Sequence, residues 1–138
     1  MKGRFYINGL GNCLVGTYAL RHLTKHFLCD AQQLLFLATQ QGMSLEFTSY
    51  FLKYTYENAL MQSEGAGFKP KSVEEIDLFL DTNTPSTEEY KGAIDALWIS
   101  VVGMTAEEFA QKNNIKKETG EAKKKNGTSF GKKLTKLD

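Results

Sequence analysis

Three side chains that can bind a soft divalent metal lie close together in the N-terminal part of the chain. His22 and His26 are four residues apart, so they share one face of a helix, and Cys29 follows three residues later. Imidazole and thiolate groups are common zinc ligands. However, the segment lacks the glutamate of the zinc-protease helix, and Cys13 is the only other cysteine or histidine in the chain. We therefore expect an ordinary surface helix with a half-buried cysteine, and no metal site.

A glycine-rich segment near the N-terminus superficially resembles a phosphate-binding loop. Gly9, Gly11 and Gly16 do not have the G-x-G-x-x-G spacing of a dinucleotide site. Asp30 follows about twenty residues later, but it stands where a helix should begin and not at the end of a strand. A turn leading into a helix explains this pattern, and we expect no cofactor.

Adjacent carboxylates are the third candidate for chemistry, because paired acids can perform acid–base catalysis. Every pair stands at a predicted helix start, where the helix dipole favours negative charge without any catalytic role. We therefore expect a protein that is not an enzyme. The pairs are Glu74 and Glu75, Glu88 and Glu89, and Glu107 and Glu108.

The elements that carry these residues are predicted to be mainly α-helical: a small single-domain helical bundle with a short N-terminal β-strand or hairpin. Arg4 to Ile7 is a β-prone run that ends at an Asn-Gly turn signal, and its partner is either Leu14 and Val15 or another subunit. Asp30 and Ser44 are predicted N-caps. Three capping boxes mark the later helix starts. They are Ser72 with Glu75, Ser86 with Glu89, and Thr105 with Glu108.

The longest predicted helix, Leu45 to Ser63, is apolar on nearly all sides. Such a helix is either central to a core or shared with another chain. The stripe of Phe47, Phe51 and Tyr54 is most simply explained as core. The aromatic residues of this helix are nevertheless so crowded that we expect some to reach the surface and bind a partner, together with aromatic residues of the helix around Tyr90 to Val101. The predicted partner-binding residues are Phe47, Tyr50, Phe51, Tyr54, Tyr90 and Trp98.

The charge of the chain is divided unequally between two parts. Residues 1–111 hold 8 Lys and Arg against 13 Asp and Glu, a net charge of −5, and are predicted to form the helical domain. Residues 112–138 hold 9 Lys against 3 acids, a net charge of +6, and are predicted to be a disordered basic tail. Such a lysine-rich tail is most often a solvated segment that aids solubility. The alternative is that it binds acidic protein, or phosphate backbones without sequence preference. Phe130 is its only aromatic residue, so specific base recognition is not expected.

The predicted compartment is the cytoplasm. The N-terminus shows no export signal, and no apolar run is long enough to span a membrane. Cys13 and Cys29 are too few for a disulfide scaffold, so free thiols are expected.

The order of these segments resembles the small tail assembly chaperones of long-tailed phages and prophages, over roughly residues 5 to 110. The resemblance lies in a Phe-Tyr-Ile-Asn-Gly strand and turn from Phe5, an aromatic helix from Phe51 to Ala59, a Ser-Val-Glu-Glu-Ile-Asp helix start from Ser72, and a last Ala-Ile-Asp-Ala-Leu-Trp-Ile-Ser helix from Ala93. It implies a non-enzymatic protein that forms homo-oligomers and coats the tape-measure protein while the tail tube polymerises. The alternative prediction is a small nucleic-acid-associated protein that uses its Lys-rich tail for non-specific binding.

Overall fold

The computed structural model describes residues 3–40 and 44–113, and the predicted disordered tail lies almost entirely outside them. The architecture is mainly α-helical with a short N-terminal hairpin, as the sequence predicts. One compact unit ends at Thr105, and the last helix belongs to a second unit. The elements are β1 (Gly3–Ile7), β2 (Gly11–Val15), α1 (Thr17–Phe27), α2 (Ala31–Gln40), α3 (Leu45–Glu64) with a 3₁₀ turn at Gly65–Gly67, α4 (Val73–Thr82), α5 (Thr87–Val102) and α6 (residues 106–113).

The N-terminal strand pairs within the chain. β1 and β2 are antiparallel, with Gly3 opposite Val15 and Ile7 opposite Gly11. The Leu10 amide donates to the Ile7 carbonyl at 2.9 Å, which closes the turn between the strands. Of the two partners that the sequence allows for β1, the structure therefore selects the segment that contains Leu14 and Val15.

The open end of this hairpin is fixed to α5. The Ser100 hydroxyl accepts a hydrogen bond from the Gly3 amide at 2.8 Å and donates one to the Val15 carbonyl at 2.6 Å. A Cβ atom on Gly3 would lie only 2.1 Å from the Ala96 carbonyl oxygen. Glycine is therefore required here because the strand and helix backbones approach closely.

The core is built around α3, which contacts β2, α1 and α4. A chain of aromatic rings passes through it: the Phe51 ring lies 5.6 Å from Phe5 and 5.5 Å from Phe47, and Phe47 lies 5.4 Å from Phe27. The sequence predicts that α3 is either central to the core or shared with another chain. These contacts confirm its central place in the core.

The start of α1 is capped by a side chain from α3. Gly16 occupies the N-cap position and has no side chain to accept a hydrogen bond. The Asn58 Oδ1 atom accepts from the amides of Gly16 and Ala19, each at 3.0 Å. A Cβ atom on Gly16 would lie 2.7 Å from this oxygen, so the cap and the glycine depend on each other.

The starts of α2, α3, α4 and α5 follow the predicted local chemistry. Ser44 accepts from the Phe47 amide, and the two capping boxes that open α4 and α5 at Ser72 and Ser86 are both formed. Asp30 and Gln33 form reciprocal hydrogen bonds at the start of α2.

Candidate interaction surface

The structure corrects the set of predicted partner-binding residues at Phe47 and Phe51. Phe47 is 4% exposed and Phe51 is 0% exposed. Their stripe of α3 faces the hairpin and the C-terminal end of α1, so both rings belong to the core of the single chain. This burial removes them from any surface that a partner could contact while the domain stays folded.

Tyr50 and Tyr54 are half-buried because they stack against the histidines of α1. The His26 ring lies 3.8 Å from the Tyr50 ring at an interplanar angle of 28°, and the His22 ring lies 5.0 Å from Tyr54 at 18°. Aromatic stacking between the two helices therefore accounts for the histidine spacing. Among the described residues, no group of three or more His, Cys, Asp or Glu side chains is placed to hold a metal ion.

Tyr90 and Trp98 lie on α5 and are also half-buried. The Trp98 indole N–H donates to the Thr39 hydroxyl at 3.3 Å, and the ring packs against the core, which joins α5 to α2. Burial, with a smaller contribution from the charge of Glu89, raises the pKa of Tyr90. Each residue keeps part of its ring accessible, so both remain candidates for partner contacts.

A buried polar cluster joins the start of α1 to the C-terminal half of α3. Glu57 is 2% exposed and accepts hydrogen bonds from the Tyr18 hydroxyl at 2.8 Å and from the Lys53 ammonium. Lys53 also donates to the Lys71 carbonyl at 2.9 Å. Burial, and then the hydrogen bond to Glu57, raises the pKa of Tyr18 well above its ordinary value. The cluster satisfies a buried charge, which explains it structurally.

Two of the acids considered for catalysis have structural hydrogen bonds. Glu75 caps α4. Glu89 caps α5 and also accepts from the Asn8 amide at 2.6 Å, which attaches the hairpin turn to that helix. The amides of Asn8 and Ser86 hold the pKa of Glu89 below its usual value.

The cysteines are both free thiols. Burial raises the pKa of Cys13 to about 12, so this thiol stays protonated and unreactive at neutral pH. Burial, with a smaller effect of the Asp30 charge, also raises the pKa of Cys29.

Several large apolar side chains are exposed that the sequence interpretation did not select. Leu78 follows Ile76 by two residues, about 200° around the helix, and Ile76 is buried, so Leu78 must face outward. The same offset from Leu34 places Phe36 on the outside of α2. The angle between each of these residues and the buried residue of its own helix is the signal that identifies Leu78 and Phe36 as exposed. The exposed set in the first unit is Tyr6, Leu28, Phe36, Leu45 and Leu78.

Leu28 is exposed in an unusual backbone conformation. It ends α1 in the left-handed region with φ of 54°, the only non-glycine residue with positive φ in the part of the chain that the structure describes. This conformation costs a leucine about 1 kcal/mol relative to its preferred backbone regions. Its side chain is 90% exposed, so packing in the single chain does not compensate that cost.

A groove of about 520 Å³ lies between the hairpin and the C-terminal half of α3. Its apolar lining comes from Leu10, Tyr56, Ala59 and Leu60, and its polar lining from Arg4, Asn12, Gln62 and Ser63. The Arg4 guanidinium donates to the Gln62 amide oxygen at 2.6 Å. Among the residues that the structure describes, no Asp or Glu side chain lines this groove.

No protein-family model, curated protein or solved structure matches this chain. None of the helices in the described residues has both the length and the apolar character needed to cross a membrane.

Proposed function

We propose that this chain is a non-enzymatic protein-interaction module and, most concretely, a phage tail assembly chaperone that self-associates and binds the tape-measure protein during tail assembly. The observation that supports this proposal is the number of large apolar side chains on the outside of a folded unit. Large exposed apolar area is typical of protein interaction sites. The proposal of this particular family is supported by the resemblance in the order of the segments and in their residue classes.

The proposed mechanism is reversible covering of apolar surface. Each Leu or Phe side chain that becomes fully buried against a client contributes about 1.5–3 kcal/mol. Several such contacts would keep the apolar helical segments of a tape-measure protein from associating with one another. Release follows by mass action when the polymerising tail tube competes for the same segments.

A co-expression experiment tests this function. The gene of a very long helical protein is expected directly downstream, and its product should stay soluble and co-purify when the full chain is co-expressed with it. Phe36→Ser should reduce the soluble yield of that protein, because it removes an exposed aromatic contact. Gln32→Ser is the matched control, since Gln32 is an exposed polar residue on the same helix. If the long protein aggregates to the same extent with and without this chain, the proposed function is contradicted.

Deleting residues 112–138 separates the proposal from the nucleic-acid alternative. Under the proposal the shortened chain still keeps the client soluble. Under the alternative it loses a DNA retention that falls steeply with salt, because lysine–phosphate contacts release counterions.

A further inference from the structure

One cation, Arg4, lines the groove between the hairpin and α3, and a second, Lys71, lies next to the Tyr56 ring that forms part of its wall. Arg4 bonds to the neutral amide of Gln62, and the Lys71 ammonium lies 5.7 Å from the centre of the Tyr56 ring. Within residues 3–40 and 44–113, neither cation forms an ion pair with a carboxylate. Residues 1–111 have a net charge of −5, whereas Arg4 in the groove and Lys71 beside its Tyr56 wall are both positive. The groove is therefore suited to an apolar side chain that is flanked by acids.

Such a side chain is present on α4. Leu78 is 67% exposed, and Glu74 and Asp81 lie four residues before it and three residues after it, on the same face of the helix. α4 contains four acids and no Lys or Arg. In the described part of the chain, neither Glu74 nor Asp81 pairs with a cation. We call Glu74, Leu78 and Asp81 the acidic stripe of α4.

We propose that the acidic stripe of one copy docks in the groove of a second copy. Leu78 would lie on the floor formed by Leu10, Tyr56 and Leu60, with its flanking carboxylates facing Arg4 and Lys71. The inference rests on the self-association in the proposed function and specifies the surfaces that produce it. Its basis is the match between two surfaces of the same chain that are complementary in charge and are both partly apolar.

The two surfaces share no residue, so the contact is heterologous: each copy has one free groove and one free stripe. Heterologous contacts build rings when the rotation closes and open filaments when it does not. A single helix in a groove buries little area, which is typical of weak, reversible association. Because exposed charges contribute, association should weaken as ionic strength rises.

A mixing experiment with full-length chains tests this arrangement. Arg4→Glu repels the stripe, and Leu78→Glu removes its apolar contact, so each variant alone should self-associate at least about tenfold more weakly than the unmodified chain. A mixture of the two retains one intact pair of surfaces: the groove of the Leu78→Glu copy and the stripe of the Arg4→Glu copy. Sedimentation velocity with one labelled variant should therefore detect a 1:1 complex that grows no further.

Two matched controls and a second groove variant accompany the test. Arg21→Glu makes the same charge change at the only other arginine of the chain, and Leu28→Glu makes the same change at another exposed leucine. Both should self-associate like the unmodified chain. Ser63→Glu adds an acid to the groove at an exposed helical site without altering the hairpin, and it should weaken association as Arg4→Glu does. Unchanged thermal melting by circular dichroism establishes that each variant is folded.

The proposal is overturned if Arg4→Glu, Ser63→Glu and Leu78→Glu all associate like the unmodified chain, or if the mixture contains no 1:1 complex. Loss of association in Leu28→Glu instead would assign the contact to the end of α1. In each of these cases the proposed function stands, because it requires only that some surface mediates self-association. Conversely, the mixing experiment could show a 1:1 complex while the client aggregates in the co-expression experiment. That pair of results would support the interface and contradict the proposed function.

Discussion

Replacing Phe51 with alanine should lower the free energy of unfolding by about 3–5 kcal/mol, which is typical for removing a buried phenylalanine ring. The ring is fully buried and lies between Phe5 and Phe47, so its loss leaves a cavity in the centre of the core. Guanidinium denaturation followed by circular dichroism measures the change. A loss of this size in an isolated chain is expected of a core residue and not of a partner contact.

Phe36→Ala is the matched control for this substitution, because the same atoms are removed from an exposed position. It should change the free energy of unfolding by no more than about 0.5 kcal/mol. Equal and small effects of Phe51→Ala and Phe36→Ala would contradict the burial of Phe51 and return it to the candidate interaction surface.

Replacing Asn58 with leucine should destabilise the chain by about 2–4 kcal/mol, since it leaves two buried amide groups without an acceptor. Those amides belong to Gly16 and Ala19 at the start of α1. Leucine is similar in size to asparagine, so the effect isolates the lost hydrogen bonds from a loss of volume. Chemical denaturation measures the free energy, and hydrogen exchange should show faster exchange at both amides.

Asn12→Leu provides the comparison for this prediction, because Asn12 is an exposed asparagine of β2. It should change stability by about 0.5 kcal/mol or less. If Asn58→Leu leaves amide exchange at Gly16 and Ala19 unchanged, the side chain of Asn58 does not cap α1.

The sequence predicts those parts of the fold that depend on neighbouring residues. The capping boxes at Ser72 and Ser86 are formed as predicted because each needs only four consecutive residues. The cap of α1 could not be predicted, since its acceptor on Asn58 lies 42 residues from Gly16 along the chain. Nothing in the local pattern of α1 indicates that Gly16 would receive a cap from α3.

The candidate surface was less predictable than the fold. A helix that is apolar on nearly all sides does not reveal which face is covered, so Phe47 and Phe51 could not be separated from Tyr50 and Tyr54 by spacing. The separation depends on tertiary contacts: Phe51 stacks on Phe5 of β1, whereas Tyr50 and Tyr54 stack on the histidines of α1. The stacking of His22 and His26 on these tyrosines likewise depends on the antiparallel packing of α1 against α3.

The exposure of Leu78 on α4 was also hidden in the sequence. Leu78 belongs to a short apolar run with Phe79 and Leu80, and such a run is easily read as entirely buried. Ile76 is the side chain of α4 that is fully buried, and Leu78 stands opposite to it. The burial of one residue therefore determines which of its apolar neighbours remains available to another chain.

Sedimentation velocity of the full chain over a range of about 5 to 500 µM tests the central claim most directly, because it spans the affinities of weak protein contacts. The claim is that the exposed apolar side chains of this domain bind protein, including further copies of the chain. The expected result is a sedimentation coefficient that rises with protein concentration and falls again when salt is added. A coefficient that stays at the monomer value throughout this range would contradict the claim.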